Sequence, residues 1–221
     1  MRTRAVEDFL KAVYDLRDPE GRVRTSALAE RLRLSAGSVT EMAKRLAGER
    51  PRLVTHRHHR GVGLMADGER VALDVIRRHR LLETFLHQVL GFGWDEVHEE
   101  AERLEHCLSD RLTDAIDAYL DHPAADPHGD PIPRTGEVPE PEERAGLDAI
   151  PKGRTVRIAR VRRSEPDLLR YLAETGITLH AEIQITEQAP FGGPVSFRSG
   201  EGGPVRAIGR DVARDILVEP A

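Results

Sequence analysis

The chain has 221 residues, enough for two or three small domains with their own cores, and 32% of it is charged. No apolar run approaches the roughly 18 residues needed to cross a bilayer, Met1 to Glu7 is too charged to read as a signal peptide, and the single cysteine, Cys107, excludes an internal disulfide. A soluble protein of a reducing cytoplasm, with no membrane partner, is the expectation.

The net charge of −5 hides a strong asymmetry. Residues 1 to 80 hold 18 Lys and Arg against 11 Asp and Glu, whereas residues 91 to 148 hold 4 against 17. A basic first third suits a polyanion, and an acidic middle suits cations.

Ala5, Phe9, Ala12, Val13 and Leu16 recur at helical spacing, predicting a helix over residues 4 to 17 that ends in the turn Asp18-Pro19-Glu20-Gly21. Thr25-Ser26 is expected to cap a second helix through Leu28, Ala29 and Leu32. Ser35 is expected to cap a third, with Val39, Met42, Ala43 and Leu46 on one face. Helix, short turn and helix form a DNA-reading arrangement. Leu53-Val54-Thr55, the polar tip His56 to Gly61 and Val62 to Met65 then read as a hairpin, the wing of a winged helix-turn-helix. His56, His58 and His59 at that tip suit phosphate contact, or no role, better than a metal.

Asp67-Gly68 opens a long helix through Val71, Val75, Ile76, Leu81, Leu82, Phe85, Leu86 and Leu90. Its apolar second half suggests a dimer. Gly91 and Gly93 break the chain, and one further helix is expected from Asp95 to about Leu120. Val97, Ala101, Leu104, Leu108, Leu112, Ala115, Ile116 and Tyr119 would be its core face.

Beside that face lies the main chemical signal. His79 and Glu83 are one turn apart, and His98, Glu102, Glu105 and His106 form a helical stripe. Two such stripes would make a cage of imidazoles and carboxylates, suited to borderline or hard divalent metals; with no thiolate among them, a structural zinc knuckle or iron–sulfur centre is disfavoured. Cys107, next to the stripe, reads as a small buried hydrophobe.

Six of the fourteen prolines, Pro123, Pro127, Pro131, Pro133, Pro139 and Pro141, fall between Asp121 and Gly146, which reads as a largely extended linker. After Pro151, short alternating runs are expected as strands at Thr155 to Val161, Ala181 to Thr186, Val195 to Arg198, Val205 to Ile208 and Ile216 to Val218. A helix around Pro166 to Thr175 interrupts them, and together they suggest a small β-barrel. The fold class is thus mainly α with small β parts. Residues 1–75 would be a winged helix-turn-helix DNA-binding domain, 76–148 a helical metal-binding and dimerisation domain with its linker at 121–148, and 149–221 the barrel.

That order, together with the stretches Glu7 to Tyr14, Arg78 to Glu83 and Val97 to His106 and the segment His128-Gly129-Asp130-Pro131-Ile132-Pro133, resembles the diphtheria toxin repressor and manganese transport regulator family of metal-dependent transcriptional repressors. The resemblance covers nearly the whole chain. It implies a homodimer that binds palindromic double-stranded operator DNA when metal-loaded and represses metal-uptake genes. It implies an SH3-like (FeoA-like) third domain. One implied metal site falls on His79, Glu83 and His98, with Glu165 and Asp167 of the third domain near further ligand positions. The second falls on Asp8, Glu102, Glu105 and His106. Iron-responsive members typically carry cysteine at the position of Glu102, so its carboxylate tilts the reading toward Mn²⁺, with Fe²⁺ the alternative; Zn²⁺, Co²⁺ or Cd²⁺ would also fit such donors in vitro. Lys11 departs from the two-domain manganese regulators, which place a ligand Glu there.

On the DNA side, the small residues Ser35, Ala36, Gly37 and Ser38 would allow close approach to base edges, and Thr25, Ser26, Thr40, Lys44, Arg45 and Arg60 would meet phosphate. Glu41 either accepts from cytosine N4 or stays solvated. Two rival readings are a di-metal carboxylate enzyme, which lacks the paired Glu-x-x-His motifs of four-helix di-metal sites, and a DNA-binding regulator sensing an organic ligand, with a structural metal.

Overall fold

The computed structural model describes residues 3–57, 60–134, 136–137, 144–200 and 202–221. Contacts divide the chain into two units. The first is Met1–His79 with Leu104–Leu108 and Pro133–Val138; the second is Arg80–Arg103, Ser109–Ile132 and Pro139–Ala221. Among the described residues no helix is long and apolar enough to cross a membrane.

In the first unit, Val6, Phe9, Leu10 and Val13 recur three and four residues apart, and this stripe makes α1 (Arg4–Asp15) amphipathic. It packs into a core shared with Leu28 of α2 (Thr25–Leu32), Val39 and Leu46 of α3 (Ala36–Gly48), and Val71 of α4 (Ala66–Gln88). Ser35 caps α3 as expected, accepting the Ser38 amide at 3.0 Å. Thr25, however, is the first helical residue of α2 and not its cap. Arg24 holds the cap position with extended backbone, and no side chain closes that end. Arg33, at φ 53°, ends α2 in a left-handed turn that leads into α3.

The wing is β2 (Val54–Arg57) and β3 (Gly61–Leu64), and a short β1 (Arg22–Val23) adds a third antiparallel strand, so that β3 lies in the middle. His58 and His59, at the tip, lie outside the described residues. Gly61 is needed at the close of the hairpin: its φ is +75°, and a Cβ there would lie 2.1 Å from the Val23 carbonyl oxygen.

In the second unit, the single helix expected from Asp95 to Leu120 is broken. It becomes α5 (Val97–Leu104), a 3-10 turn at Glu105–Cys107 and α6 (Asp110–Tyr119). Ser109 is the physical cause, because its hydroxyl accepts the Leu112 amide at 3.2 Å and starts a new helix, while Leu108 is extended. The expected core face changes accordingly. Val97, Ala101 and Ile116 are buried, but Leu104, Leu112 and Tyr119 are 41%, 50% and 69% exposed, and Ala115 is exposed too.

The first part of the expected extended linker is folded. Ala125 bridges Pro131, the Gly129 amide donates to the Asp126 carbonyl at 3.0 Å, and the Val161 amide donates to the His128 carbonyl at 2.8 Å. Pro139 and Pro141 lie outside the described residues.

Beyond it come β4 (Ala145–Gly146), β5 (Thr155–Val161), α7 (Pro166–Glu174), β6 (Glu182–Gln188), β7 (Val195–Ser199), β8 (Val205–Ile208), α8 (Arg210–Arg214) and β9 (Ile216–Pro220). The strands form one antiparallel sheet in the order β4-β9-β5-β6-β7-β8 over a core of Leu147, Ile158, Leu169, Leu172, Ile183, Ile185 and Phe197. The expected barrel is not closed, since β4 and β8 end the sheet without pairing to each other among the described residues. Short strands β4 and helix α8 were too brief to leave a periodic signal.

Gly61→Ala is expected to destabilise the protein by more than about 1 kcal/mol in urea unfolding, because the methyl group meets backbone that cannot move aside. A variant as stable as wild type would mean that the hairpin closes in another way.

Candidate metal centre

Within the first unit α1 presents Glu7, Asp8 and Lys11 on one side, three and four residues apart, and the 3-10 turn brings up Glu105 and His106 to meet them. His106 Nδ1 lies 2.6 Å from Glu7 Oε2, so an N–H there donates to the carboxylate and turns Nε2 toward Asp8 and Glu105. That Nε2 sits 2.7 Å from Asp8 Oδ1 and 3.3 Å from Glu105 Oε1. It is buried, yet its angles make no hydrogen bond to either oxygen. Two carboxylate oxygens and an unused imidazole nitrogen converging in this way fit a divalent cation better than a hydrogen-bond network.

Glu105 is completely buried. Lys11 Nζ donates to its two oxygens at 3.0 and 2.8 Å, and His79 Nδ1 lies 2.5 Å from Oε2. The Lys11 Nζ and His79 Nδ1 atoms are themselves 3.3 Å apart. Burial pushes the Asp8 carboxyl above its usual range, partly offset by His106 and by Arg4 at 3.8 Å. Such a carboxyl gains from a bound cation.

The second unit holds another cluster. Glu83, on α4, accepts from His98 Nδ1 of α5 at 3.0 Å and lies 3.9 Å from His128 Nδ1. Glu83, Asp126 and His128 are all buried and offer ligand atoms within 4.8 Å of one another. His128 Nε2 lies 2.7 Å from the Trp94 carbonyl oxygen, to which it donates, so Nδ1 is the free nitrogen on the Glu83 side. The imidazole also stacks on the Trp94 ring, with centroids 6.1 Å apart.

Asp126 is fixed by the loop it belongs to, its Oδ1 accepting the amides of His128 at 2.8 Å and Asp130 at 3.0 Å. Burial, and then the Glu83 and Asp130 carboxylates, push its carboxyl well above the usual range, against an opposing Arg80. Two buried carboxylates facing one another call for positive charge.

Asp8, Glu105 and His106 are thus brought together, as are Glu83 and His98. His79 stands one turn before Glu83 on α4 with its Nδ1 on Glu105. Glu102 lies one turn after His98, with Oε1 3.9 Å from His98 Nε2. Glu165 and Asp167 join no ligand cluster among the described residues: Arg163 holds Glu165 at 2.8 Å, which keeps its carboxyl below the usual range, and Asp167 pairs with Arg170. Cys107 is exposed, not buried, and joins no cluster either.

Asp126 and His128 were missed because prolines on both sides read as linker. The available signal was the run Asp126-Pro127-His128-Gly129, a side-chain-capped turn whose Gly129 has φ +86°.

The residues expected to read DNA lie on the first unit. Ser35, Ala36, Gly37, Ser38, Glu41, Lys44, Arg45 and Arg60 are exposed, as is Ser26, with Thr25 and Thr40 half-buried. Internal bonds occupy part of it, since Thr40 Oγ1 donates to the Ala36 carbonyl at 2.8 Å and Arg45 lies 3.6 Å from Glu49.

Three family models match the chain: "Iron dependent repressor, N-terminal DNA binding domain" at residues 1–62, "Iron dependent repressor, metal binding and dimerisation domain" at 66–134 and "FeoA domain" at 146–220. The iron-dependent repressor IdeR of Mycobacterium tuberculosis is 32% identical over 199 residues, 85% of each chain. The diphtheria toxin repressor of Corynebacterium efficiens is 31% identical over 82% of this chain and 83% of its own. Among solved structures, a manganese-dependent transcriptional repressor in complex with manganese has a TM-score of 0.85 at 40% identity, covering 98% of this chain and 100% of that one. ScaR with bound Cd²⁺ has a TM-score of 0.81 at 32% identity, covering 98% and 99%.

Asp126→Asn keeps the acceptor for both loop amides and removes a buried charge. A carboxyl whose folded pKa is raised costs stability progressively as pH rises above its unfolded value, so in chelator the variant is expected to match wild type in acid and to gain stability over it in urea unfolding as pH is raised toward neutral. A less stable variant would show that the Asp126 charge is already compensated.

Proposed function

This chain belongs to the diphtheria toxin repressor family of metal-dependent transcriptional repressors, and from that premise we propose that it is a manganese-responsive, homodimeric repressor of metal-uptake genes. The di-metal enzyme reading has no support in a family of repressors, and neither does an organic-ligand regulator. In the proposed layout residues 1–75 bind DNA, 76–148 bind metal and dimerise, and 149–221 form the FeoA-like domain; the protein works in the cytoplasm, where its DNA is.

The observation that carries the proposal is the meeting of Asp8 with His106, 2.7 Å apart with the imidazole nitrogen unused. Asp8 belongs to the helix that packs on the DNA-reading helices α2 and α3. Asp8, Glu105, His106 and, by family resemblance, Glu102 would hold one ion. Glu83 and His98 would hold another, with His79 by resemblance, and Asp126 and His128 offer the further donors there in place of Glu165 and Asp167. A bound ion supplies the positive charge that these buried carboxylates face. The donors are oxygen and nitrogen only, which suits Mn²⁺ and Fe²⁺ and admits Zn²⁺, Co²⁺ and Cd²⁺. The carboxylate of Glu102, in place of a thiolate, favours Mn²⁺, in keeping with the solved neighbour that carries manganese.

Exposed Leu90, Leu104, Leu112 and Tyr119 provide apolar surface for a dimer partner. Two copies would set two α3 helices to read a palindrome in successive major grooves, with Lys44, Arg45 and Arg60 on phosphate. Holding α1 in one position sets the spacing of the two reading heads. Shifting that equilibrium from 1:99 to 99:1 takes about 5.5 kcal/mol of differential metal binding, within reach of two sites per subunit.

The test is titration of metal-stripped protein onto a palindromic uptake-gene promoter at fixed salt, with Mn²⁺, Fe²⁺ and Zn²⁺ in parallel. Mn²⁺ is expected to switch on wild-type binding and Glu102→Cys to move preference toward Fe²⁺; DNA binding indifferent to every metal would overturn the proposal. In the metal-loaded state Lys44→Ala should lower the slope of log K against log salt by about 0.9, the share of one phosphate contact, and an unchanged slope would remove Lys44 from the interface.

A further inference from the structure

The sheet of the second unit buries one face and leaves the other to solvent. Ile183, Ile185, Val195 and Phe197 belong to the core, so Gln184 of β6 and Ser196 and Arg198 of β7 stand on the opposite face by strand alternation. Arg198 lies directly across from Gln184 on β6 and from Val205 on β8, neither of them charged. It is half-buried, and its Nε is buried without a hydrogen-bond partner. Among the described residues no carboxylate pairs with it. Glu182 is taken by Arg157 at 3.1 Å, and Glu187, opposite Ser196, makes no bond to it. Thr186 is orphaned in the same neighbourhood. The register of β6 on β7 slips between Ile185 and Glu187, and this bulge leaves Thr186 with no residue opposite and its Oγ1 buried and unbonded.

We propose that this sheet face binds a small oxyanion, phosphate or carboxylate in type, with the Arg198 guanidinium as its anchor and the hydroxyls of Thr186 and Ser196 and the amide of Gln184 beside it. The site shares no residue with either metal cluster and does not depend on the metal reading.

A guanidinium keeps its charge at any ordinary pH and has only donors, so nothing but an acceptor satisfies the buried Nε–H. A neighbouring carboxylate commonly does so, yet the strands on either side of Arg198 supply an amide and an apolar side chain. A water molecule would take the hydrogen bond and leave the half-buried charge unanswered. An oxyanion answers both, since two of its oxygens match Nε–H and one terminal N–H in the fork that arginine presents, and a hydroxyl donates to a remaining oxygen. The stem of Arg198 is also held in advance. The Gly203 backbone packs on it, where a Cβ would lie 3.7 Å from Arg198 Cγ and 2.3 Å from the Ser199 carbonyl oxygen. A side chain ordered before binding loses less entropy when the anion arrives. With one cation in the cradle, half-saturation on the order of 1 mM is expected.

Inorganic phosphate and acetate are titrated separately, at constant ionic strength, into the metal-stripped full chain, and heteronuclear NMR follows the Arg198 Nε–H together with the backbone amides of residues 184–187 and 196–198. Wild type is expected to show a saturable shift centred on Arg198 Nε, and Arg198→Gln to lose it from those amides. Tighter binding of phosphate assigns the site to phosphate-type anions and tighter binding of acetate to carboxylates, and either result supports it. Shifts that grow linearly without saturating, or a saturable response that Arg198→Gln leaves unchanged, overturn the inference. If Arg198→Gln does not fold, the wild-type response at Arg198 Nε decides alone: saturation supports the site, and a resonance that neither anion moves overturns it.

Discussion

The first unit is organised around one buried carboxylate. Glu105 has no exposed surface, and a carboxylate in that position is tolerated only with its charge answered and its oxygens bonded. Lys11 answers the charge from α1, His79 bonds from α4, and His106 follows it directly in the 3-10 turn. Three segments far apart in sequence are pinned by this one group. The helix that carries Lys11 also carries Asp8 and the apolar stripe that packs on α2 and α3, so whatever steadies Glu105 and His106 also steadies the DNA-reading part of the same unit.

The second unit repeats the principle with other residues. Glu83 and Asp126 are both buried and oppose each other, and burial raises the Asp126 carboxyl well above its usual range. The loop that brings Asp126 and His128 there is built to hold them: two backbone amides fix the Asp126 carboxylate, Trp94 fixes the ring of His128, and Arg80 donates to the Pro131 carbonyl at 2.5 Å. Arg80 and Arg160 both bond Asp130 in the same loop. The strain of like charges is thus confined to the cluster where a cation would relieve it, a stability cost characteristic of a functional site.

Helical periodicity made α1, α3 and α4 legible, because each carries an apolar stripe long enough to repeat, and the hairpin was legible from its alternation and its glycines. Five strands of the second unit were visible for the same reason. The break at Leu108 and Ser109 was not, since one serine in an otherwise periodic run does not announce that it will cap a new helix. That break changed the site, for Glu105 and His106 sit in a 3-10 turn and not on a continued helical stripe. Asp8, Glu83, His98, Glu105 and His106 were legible by spacing and resemblance, whereas Asp126 and His128 depend on a folded loop that composition alone presents as linker. Lys11 could be seen as a departure, but its burial against Glu105 arises from tertiary contact between residues 94 positions apart.

In the proposed mechanism a divalent ion acts by holding α1 to Glu105 and His106. Hydrogen–deuterium exchange along residues 4–15, with and without Mn²⁺, addresses it in wild type and in His106→Ala. Added protection of α1 by Mn²⁺ in wild type, lost in the variant, is the expected result. Exchange of α1 that Mn²⁺ leaves unchanged, although the ion is bound, would contradict it.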